Sequence, residues 1–495
     1  MIGMIVDTRK KRRSGLLLGW SFVCACVLLL ICSKSSPLYP TNDWVDVQCF
    51  FTVGRGIVQG KMPYLDLYEQ KGPVLYLLFA LAAFISSNSF FGVFLLEVVC
   101  FTLFLYESVK IIALYVEEGA PVLFLAPPLL AFSVAVCPAF SHGSSAEEFF
   151  LPVMALFLRV VLTAIGADRP LFRGEAFLCG VLAGLGLWVK YTFCGIFAGG
   201  ALALIVWYAL TGKAKRLWSA ALWSLLGLAA VTAPLLLWFS LKGSLPSLWE
   251  VYFVNNLTSY ASGSSPRHDP PLAALWNNRI WFLPAILGCL WLLARPKRRW
   301  GQALFVLCAA LTLGLFTYAN GRTYPYYALI LSVFGCLGWA PILLLLQKAS
   351  RGLTAARRGW IGATASLMLL MGCGIGAYRC SGNVYLMAYA QEDMPAYRFA
   401  AIIRQEEDPS LLNTGFLDGG FYLAAGVEPE NRFFCTFNIG LKEQTAEHSA
   451  LVKSGAVRFV VTRGKKAPGK NYELVDQCSF PFEGRNWTYC LYRLK

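Results

Sequence analysis

The chain has 495 residues, of which 57% are hydrophobic and 14% charged, with a mean hydropathy of +0.56. Soluble domains run at about 45–50% apolar and about 25% charged, so a purely water-soluble globule is excluded and a membrane must supply part of the solvent. Residues 379–495 carry 14 basic and 13 acidic side chains, so nearly all of the +15 net charge lies in the apolar part, where it reads as cytoplasmic loop charge and not as a nucleic-acid surface.

The basic run Arg9-Lys-Lys-Arg-Arg13 precedes the apolar stretch Leu16 to Cys32. No small-x-small cleavage site follows and further apolar segments do, so it reads as an uncleaved first transmembrane helix with its basic flank in the cytoplasm. A crossing takes roughly 20 apolar residues as helix, and only helices or closed barrels satisfy the backbone in lipid. The candidate spans are 14–32, 89–113, 121–140, 148–166, 175–190, 191–210, 217–240, 273–294, 301–319, 325–347 and 361–378, about eleven. With the N-terminus inside and Arg159 left out as part of a span, 19 cations before residue 379 fall on the cytoplasmic side and 9 outside. The inner set includes Lys213/Lys215/Arg216, Arg295/Lys297/Arg298/Arg299 and Lys348/Arg351/Arg357/Arg358, with Glu117 and Glu118 beside them. The apolar run 72–87 is short for a crossing, and counting it would invert every later loop; it reads as a helix at or dipping into the outer interface.

That leaves a long first outer loop, 33–88, and long structured loops are usually functional. Within it, Asp43 to Val58 has the apolar pattern of an amphipathic helix lying on the membrane surface. The loop opens with Asn42-Asp43-Trp44-Val45-Asp46, whose carboxylates suit either a helix N-cap or a general base that takes a proton from an attacking hydroxyl. Next comes Pro63-Tyr-Leu-Asp66-Leu-Tyr-Glu-Gln-Lys71-Gly-Pro73, where Lys71 sits at headgroup depth. Its ammonium suits a lipid phosphate, or simply snorkels.

Between two later spans, Ser141-His-Gly-Ser-Ser-Ala-Glu147-Glu148 places two acids at a helix start, where they complement the dipole or orient a hydroxyl. Lys190 and Arg322 are lone cations at outer helix ends, either loop charges or functional groups. A guanidinium at Arg322 can bind phosphate bidentately.

From about 379 the composition becomes that of a small soluble α/β domain, facing outside after eleven spans. Met394–Glu407 reads as an amphipathic helix, and 458–462 and 489–493 as short strands. The 16 cysteines lack metal-ligand spacing and read mostly as small hydrophobes. Cys478 and Cys490 form either a disulfide outside the cell or a free pair. Asn256-Leu-Thr258 and Asn486-Trp-Thr488 would be glycosylation triplets in a eukaryote, a pattern that also arises by chance.

The four outer places, in this order, resemble the membrane glycosyltransferases of the GT-C class, specifically the protein O-mannosyltransferase and aminoarabinose transferase (glycosyltransferase 39-like) superfamily. Asp46-Val-Gln-Cys-Phe50 matches the Asp and the aromatic of that family's Asp-Glu-x-x-aromatic motif, with Val47 in place of the Glu. Lys71-Gly72-Pro73 resembles its Lys-Pro-Pro motif, Glu147 or Glu148 its acid in the second outer loop, Gly186-Leu-Trp-Val-Lys190 its GLxxxxK element, and Arg322-Thr-Tyr-Pro-Tyr-Tyr327 its polar-aromatic turn. The likeness covers roughly residues 14–345.

It implies an α-helical polytopic membrane protein of GT-C type with a small C-terminal extracytoplasmic domain, in a bacterial plasma membrane. The implied reaction is inverting transfer of a sugar from a polyprenyl-phosphate donor to an acceptor hydroxyl of a glycan, lipid or protein, with no cofactor or metal. Asp46 is then the base. Lys71, Arg322 and Lys190 are assigned to the lipid phosphate, and Asp66, Glu147, Glu148 and Tyr324 to substrate binding. The alternatives are a transporter or flippase of lipid-linked sugars, disfavoured by the lack of an internal repeat, and a lipid-carrier-dependent polysaccharide ligase or polymerase. A structural scaffold accounts for neither the long loop nor the one-sided charges.

Overall fold

The structure, a computed structural model, describes residues 2–117, 120–259, 270–294, 296–319, 321–482 and 484–495, the side chains of 2–11 and 296–298 excepted. Glu118, Arg295 and the side chains of Arg9, Lys10, Lys11, Lys297 and Arg298 thus lie outside the described residues.

Among the described residues, eight helices are long and apolar enough to cross a membrane: Arg12–Cys32, Phe91–Ile112, Ala146–Gly166, Tyr191–Leu210, Ala214–Leu241, Arg299–Tyr318, Pro325–Gly352 and Ala355–Cys380. Three other expected spans fold as shorter pieces. The stretch 121–140 breaks into a 3-10 turn Pro121–Leu125, a helix Ala126–Ala135 and a second turn Pro138–Phe140. Its prolines open each piece because a residue without an N–H is tolerated only in a first helical turn. Segment 273–294 divides at Asn278 into Pro271–Asn277 and Arg279–Leu293, and helix Arg173–Val189 ends where Lys190 turns extended. Helix Pro73–Ile85 has 13 residues. At about 1.5 Å per residue it falls short of a hydrocarbon core of about 30 Å.

The chain divides into two compact units. The first comprises Met1–Ser33, Leu96–Ala233 and Arg267–Val384. Its helices approach closely at small residues. A Cβ on Gly199 would run into Thr312 Oγ1 and the Cys308 carbonyl, and Thr312 Oγ1 donates to the Gly195 carbonyl at 2.7 Å. In lipid, where apolar burial gives helices no reason to associate, such contacts and interhelical hydrogen bonds do so. The cation inside helix Ala146–Gly166, Arg159, is paired with Glu107 of helix Phe91–Ile112.

The second unit comprises Lys34–Leu95, Pro234–Pro266 and Tyr385–Lys495. Helix Val45–Val58 forms where the amphipathic pattern predicts, with Asp46 in its first turn. Its apolar side packs on the following segment, Phe50 against Phe79 and Phe51 against Phe90. Its polar side is not left to solvent or headgroups: Thr52 donates to Asp418 at 2.7 Å and Arg55 pairs with Glu428. The expected surface helix is therefore enclosed on both sides by its own unit.

Four strands, β1 (Leu411–Thr414), β2 (Phe459–Arg463), β3 (Tyr472–Phe482) and β4 (Arg485–Leu494), form a sheet in the order β1-β2-β4-β3. The β1/β2 pair is parallel and the other two pairs antiparallel. Leu412, Val460 and Tyr492 of the sheet pack with Val452 of helix Lys442–Ser454. The expected amphipathic helix is Pro395–Ile403. Cys478 lies opposite Tyr489 and Cys490 opposite Gln477. The two cysteines are one register step apart and point to opposite faces, which removes the disulfide alternative for that pair. Of the glycosylation triplets, Asn256 is buried with its amide donating to the Gln70 carbonyl at 2.9 Å, while Asn486 is exposed.

Candidate functional site

The first unit gathers Glu97, Glu147, Glu148, Lys190 and Arg322, each at most 9% exposed. A turn with Gly143 at φ 69° and Ser144 at φ 56° leads into helix Ala146–Gly166. The turn aims the Ser144 N–H at two carboxylates at once, Glu97 Oε1 and Glu148 Oε2, each at 2.8 Å. Ser144 Oγ also donates to Glu97 at 2.8 Å, and Ser33 Oγ donates to its other oxygen at 2.7 Å. Ser145 caps the helix by accepting from the Glu148 N–H. Glu148 is thus part of a buried carboxylate network, and Glu147 takes the Lys190 ammonium at 2.6 Å.

Lys190 stands at the C-terminal end of helix Arg173–Val189, where a cation complements the helix dipole. Its ammonium lies 3.9 Å from the centre of the Tyr327 ring. Tyr324, Tyr326 and Tyr327 form a cluster with ring centres 5.0–5.8 Å apart, and His142 packs edge-on against Tyr326. The structure therefore brings Glu147, Lys190 and Tyr324 together through rings, with Arg322 two residues ahead of Tyr324 in the same turn. Glu97 and His142 were not selected from the sequence. Glu97 carried a usable signal, one of two acids inside an apolar span.

In the second unit, Asp46 is half-buried near the start of helix Val45–Val58. The backbone of Lys71 is held on both sides: its N–H donates to Glu69 Oε2 and to the Tyr76 hydroxyl, each at 2.8 Å, and its carbonyl accepts from the Tyr64 hydroxyl at 2.6 Å. Tyr76 also donates to Glu69. Tyr64 adopts a left-handed φ of 69° and is fully buried against Tyr76 and Phe239. The anchored lysine places its ammonium 5.3 Å from the centre of the Phe50 ring. Phe50 is four residues beyond Asp46 and so on the same helix face. Asp66 is exposed, and its carboxylate accepts the Met62 N–H at 2.6 Å, closing the turn before Lys71. Lys34, which the sequence did not single out, pairs with Asp43 at 2.6 Å.

Outside the membrane segments, burial pushes the Asp418 carboxyl up to about 6, partly offset by hydrogen bonds from Thr52 and the Gly420 N–H. Burial lowers the pKa of His448, whose Nε2 donates to the Phe433 carbonyl at 2.7 Å. Among the described residues there is no group of three or more His, Cys, Asp or Glu side chains arranged to hold a metal ion.

No family model matches the sequence, and no curated protein matches it. Solved structures do. ArnT from Cupriavidus metallidurans bound to undecaprenyl phosphate superposes with a TM-score of 0.64 at 15% identity, over 96% of this chain and 98% of that one. The apo state of the same protein also gives 0.64 at 15% identity, over 97% of each chain. The arabinofuranosyltransferase AftD from Mycobacteria gives 0.51 at 13% identity, over 96% of this chain and 40% of that one. At such identities the likeness concerns the fold alone: this chain has an ArnT-like, GT-C-like fold, as the sequence leads one to expect.

Proposed function

We propose that this chain transfers a sugar from a polyprenyl-phosphate donor to an acceptor hydroxyl at the outer face of the membrane, with inversion at the anomeric carbon. The observation that carries the reading is the anchored Lys71 ammonium over Phe50, one helical turn from Asp46. The ArnT structure supports it by analogy, since its bound undecaprenyl phosphate is the kind of carrier such a reaction releases.

In this scheme Asp46 accepts the proton of the acceptor hydroxyl as its oxygen attacks the anomeric carbon. The bond from that carbon to the phosphate oxygen breaks, and polyprenyl phosphate departs with the electron pair. Lys71 stabilises the charge developing on the phosphate. That leaving group is already good, so no general acid is needed, and preorganised charge is the largest contribution the protein makes. Within the first unit, Arg322, Lys190, Glu147, Glu148 and Tyr324 are assigned to substrate binding. The Arg322 guanidinium has the geometry to bind phosphate bidentately, while the Lys190 ammonium holds Glu147.

The test incubates the purified protein with polyprenyl-phosphate sugars and follows released polyprenyl phosphate by mass spectrometry. Release by the wild type and not by Asp46→Asn is expected. Equal release by both removes Asp46 from the mechanism, and no release from any donor in the presence of extracted cell-envelope acceptors overturns the proposed function.

A further inference from the structure

Within the second unit, the loop that carries Lys71 is held by a segment of the C-terminal domain. Glu428 pairs with Arg55, the Pro429 carbonyl takes the Lys61 ammonium, and the ring centres of Phe433 and Phe437 lie 4.9 and 5.1 Å from that of Tyr68. Between them, Arg432 grips both ends of the turn Tyr64–Tyr68. Its carbonyl accepts the Tyr68 N–H at 2.8 Å, and its Nε donates to the Tyr64 carbonyl at 2.9 Å. The guanidinium also lies against the Tyr68 ring, 5.6 Å from the centre. Its ion pair with Glu443 is long, 3.9 Å, and the Glu443 side chain is 69% exposed, so that pair contributes little to holding the arginine.

The turn needs such a grip. Tyr64 has a φ of 69°, in the left-handed region that a bulky residue keeps only when its surroundings hold it there. The Tyr64 N–H closes the turn on the Leu67 carbonyl at 2.8 Å, while its own carbonyl takes the Arg432 Nε–H. The Tyr64 hydroxyl in turn donates to the Lys71 carbonyl at 2.6 Å. Direct hydrogen bonds thus lead from Arg432 through Tyr64 to the Lys71 backbone, although Arg432 and Tyr64 are 368 positions apart in the chain. A planar guanidinium donates from its edge while its face packs on an aromatic ring, a combination that a lysine does not provide.

We propose that Arg432 is a positioning residue for Lys71: it fixes the turn Tyr64–Tyr68 and, through Tyr64, the lysine backbone, so that the C-terminal domain sets the affinity for a lipid phosphate. This rests on the assignment of Lys71 to that phosphate. The test measures binding of undecaprenyl phosphate, and of uncharged undecaprenol, to the full chain in detergent. Arg432→Gln is expected to lower affinity for the phosphate by roughly fivefold, about the net worth of one hydrogen bond, and to leave affinity for the alcohol unchanged. Arg432→Lys, which keeps the charge without the planar fork, should lose about twofold, and it keeps the test decisive if Arg432→Gln does not fold. In a Lys71→Met background Arg432→Gln should add no further loss, because it acts through Lys71. Without lipid, hydrogen exchange at the Tyr68 and Lys71 amides should quicken in Arg432→Gln. Equal losses for both lipids, or the same loss with and without Lys71, would make Arg432 a structural tie only and overturn the proposal. If Lys71→Met binds the phosphate like the wild type, the Lys71 assignment fails and takes the proposal with it. If Lys71→Met binds weakly and Arg432→Gln normally, the proposal alone fails.

Discussion

The Lys71 ammonium lies 5.3 Å from the centre of the Phe50 ring, and three tyrosine or glutamate groups fix the lysine backbone behind it. A cation held over a ring face gains about 0.5–2 kcal/mol and loses little further entropy when it takes an anion. Lys71→Met is therefore expected to raise KM for the lipid-linked donor and lower kcat, and Lys71→Arg to recover part of both. Phe50→Leu should weaken donor binding by less than tenfold. Tyr64→Phe tests positioning as distinct from charge: it frees the Lys71 carbonyl, and KM for the donor should rise while the melting temperature falls only slightly. Steady-state kinetics with a defined donor checks all four, and Lys71→Met kinetics matching the wild type would remove the residue from phosphate binding.

Asp46→Asn should depress turnover by about two to four orders of magnitude, the usual worth of a positioned general base. Asp46 is only half-buried, so the melting temperature should stay within a few degrees of the wild type. A large stability loss with normal specific activity in the folded fraction would mark Asp46 as structural.

The buried pair Glu147–Lys190, with side chains 1% and 11% exposed, makes a contrasting prediction. Removing one partner leaves the other charge uncompensated, at a cost of about 3–5 kcal/mol, whereas removing both together is often near neutral. Glu147→Gln and Lys190→Met should each lower thermal stability in detergent, and the double variant Glu147→Leu with Lys190→Met should recover most of the loss. Additive losses would show that the pair does not act as a unit.

Much of this fold is legible in the sequence, for reasons specific to particular segments. Apolar runs such as Phe91–Ile112 and Ala355–Cys380 have no alternative to burial or lipid, so hydropathy alone finds them. Val45–Val58 is betrayed by its 3.6-residue pattern. That pattern says nothing of what covers the polar side, because the partners of Thr52 and Arg55 lie at Asp418 and Glu428, more than 360 residues away. Strand β3 escapes notice because its solvent-side residues, among them Glu473 and Ser479, interrupt the apolar run, and it carries a proline at Pro481. As the sheet's edge strand it tolerates that proline. Of the candidate site, the order Asp46, Lys71, Glu147, Lys190, Arg322 is readable from local motifs. Glu97, Lys34 and the tyrosine clamp on Lys71 are not, since each matters only through a neighbour that folding supplies.

The thiols of Cys49 and Cys435 are both buried and lie 3.8 Å apart, whereas Cys478 and Cys490 face opposite sides of the sheet. Burial keeps the thiol pKa of both Cys49 and Cys435 raised, so the protonated pair reacts slowly in the folded protein. Diamide, a small membrane-permeant thiol oxidant, is expected to link Cys49 to Cys435 when added during mild warming, each thiol giving up a proton and an electron to the diazene bond. Peptide mapping without reductant should recover that linked pair, with Cys478 and Cys490 found as separate free thiols that maleimide labels once the protein is denatured. A Cys478–Cys490 crosslink would contradict the register of β3 against β4.

Asp418 gives the pH dependence of the second unit. Its carboxyl is fully buried, and burial raises its pKa from 3.8 to about 6, despite hydrogen bonds from Thr52 and the Gly420 N–H. Below pH 4 the group is protonated in both folded and unfolded chains and contributes no slope. Between about pH 4 and 6 the unfolded chain releases the proton while the folded chain keeps it, so stability falls as pH rises through that window and levels off above it. At 1.36 kcal/mol per unit, the full effect of this one group is about 3 kcal/mol. Asp418→Asn should remove the slope without removing the contacts: its oxygen can still accept from Gly420, and its amide can donate to the Thr52 hydroxyl in place of the present bond. Thermal unfolding of the detergent-solubilised chain from pH 4 to 7 checks this. The variant should gain most over the wild type near pH 7 and least near pH 4, and a gain that is greatest at low pH would mean that Asp418 is stabilised as a carboxylate in the folded protein.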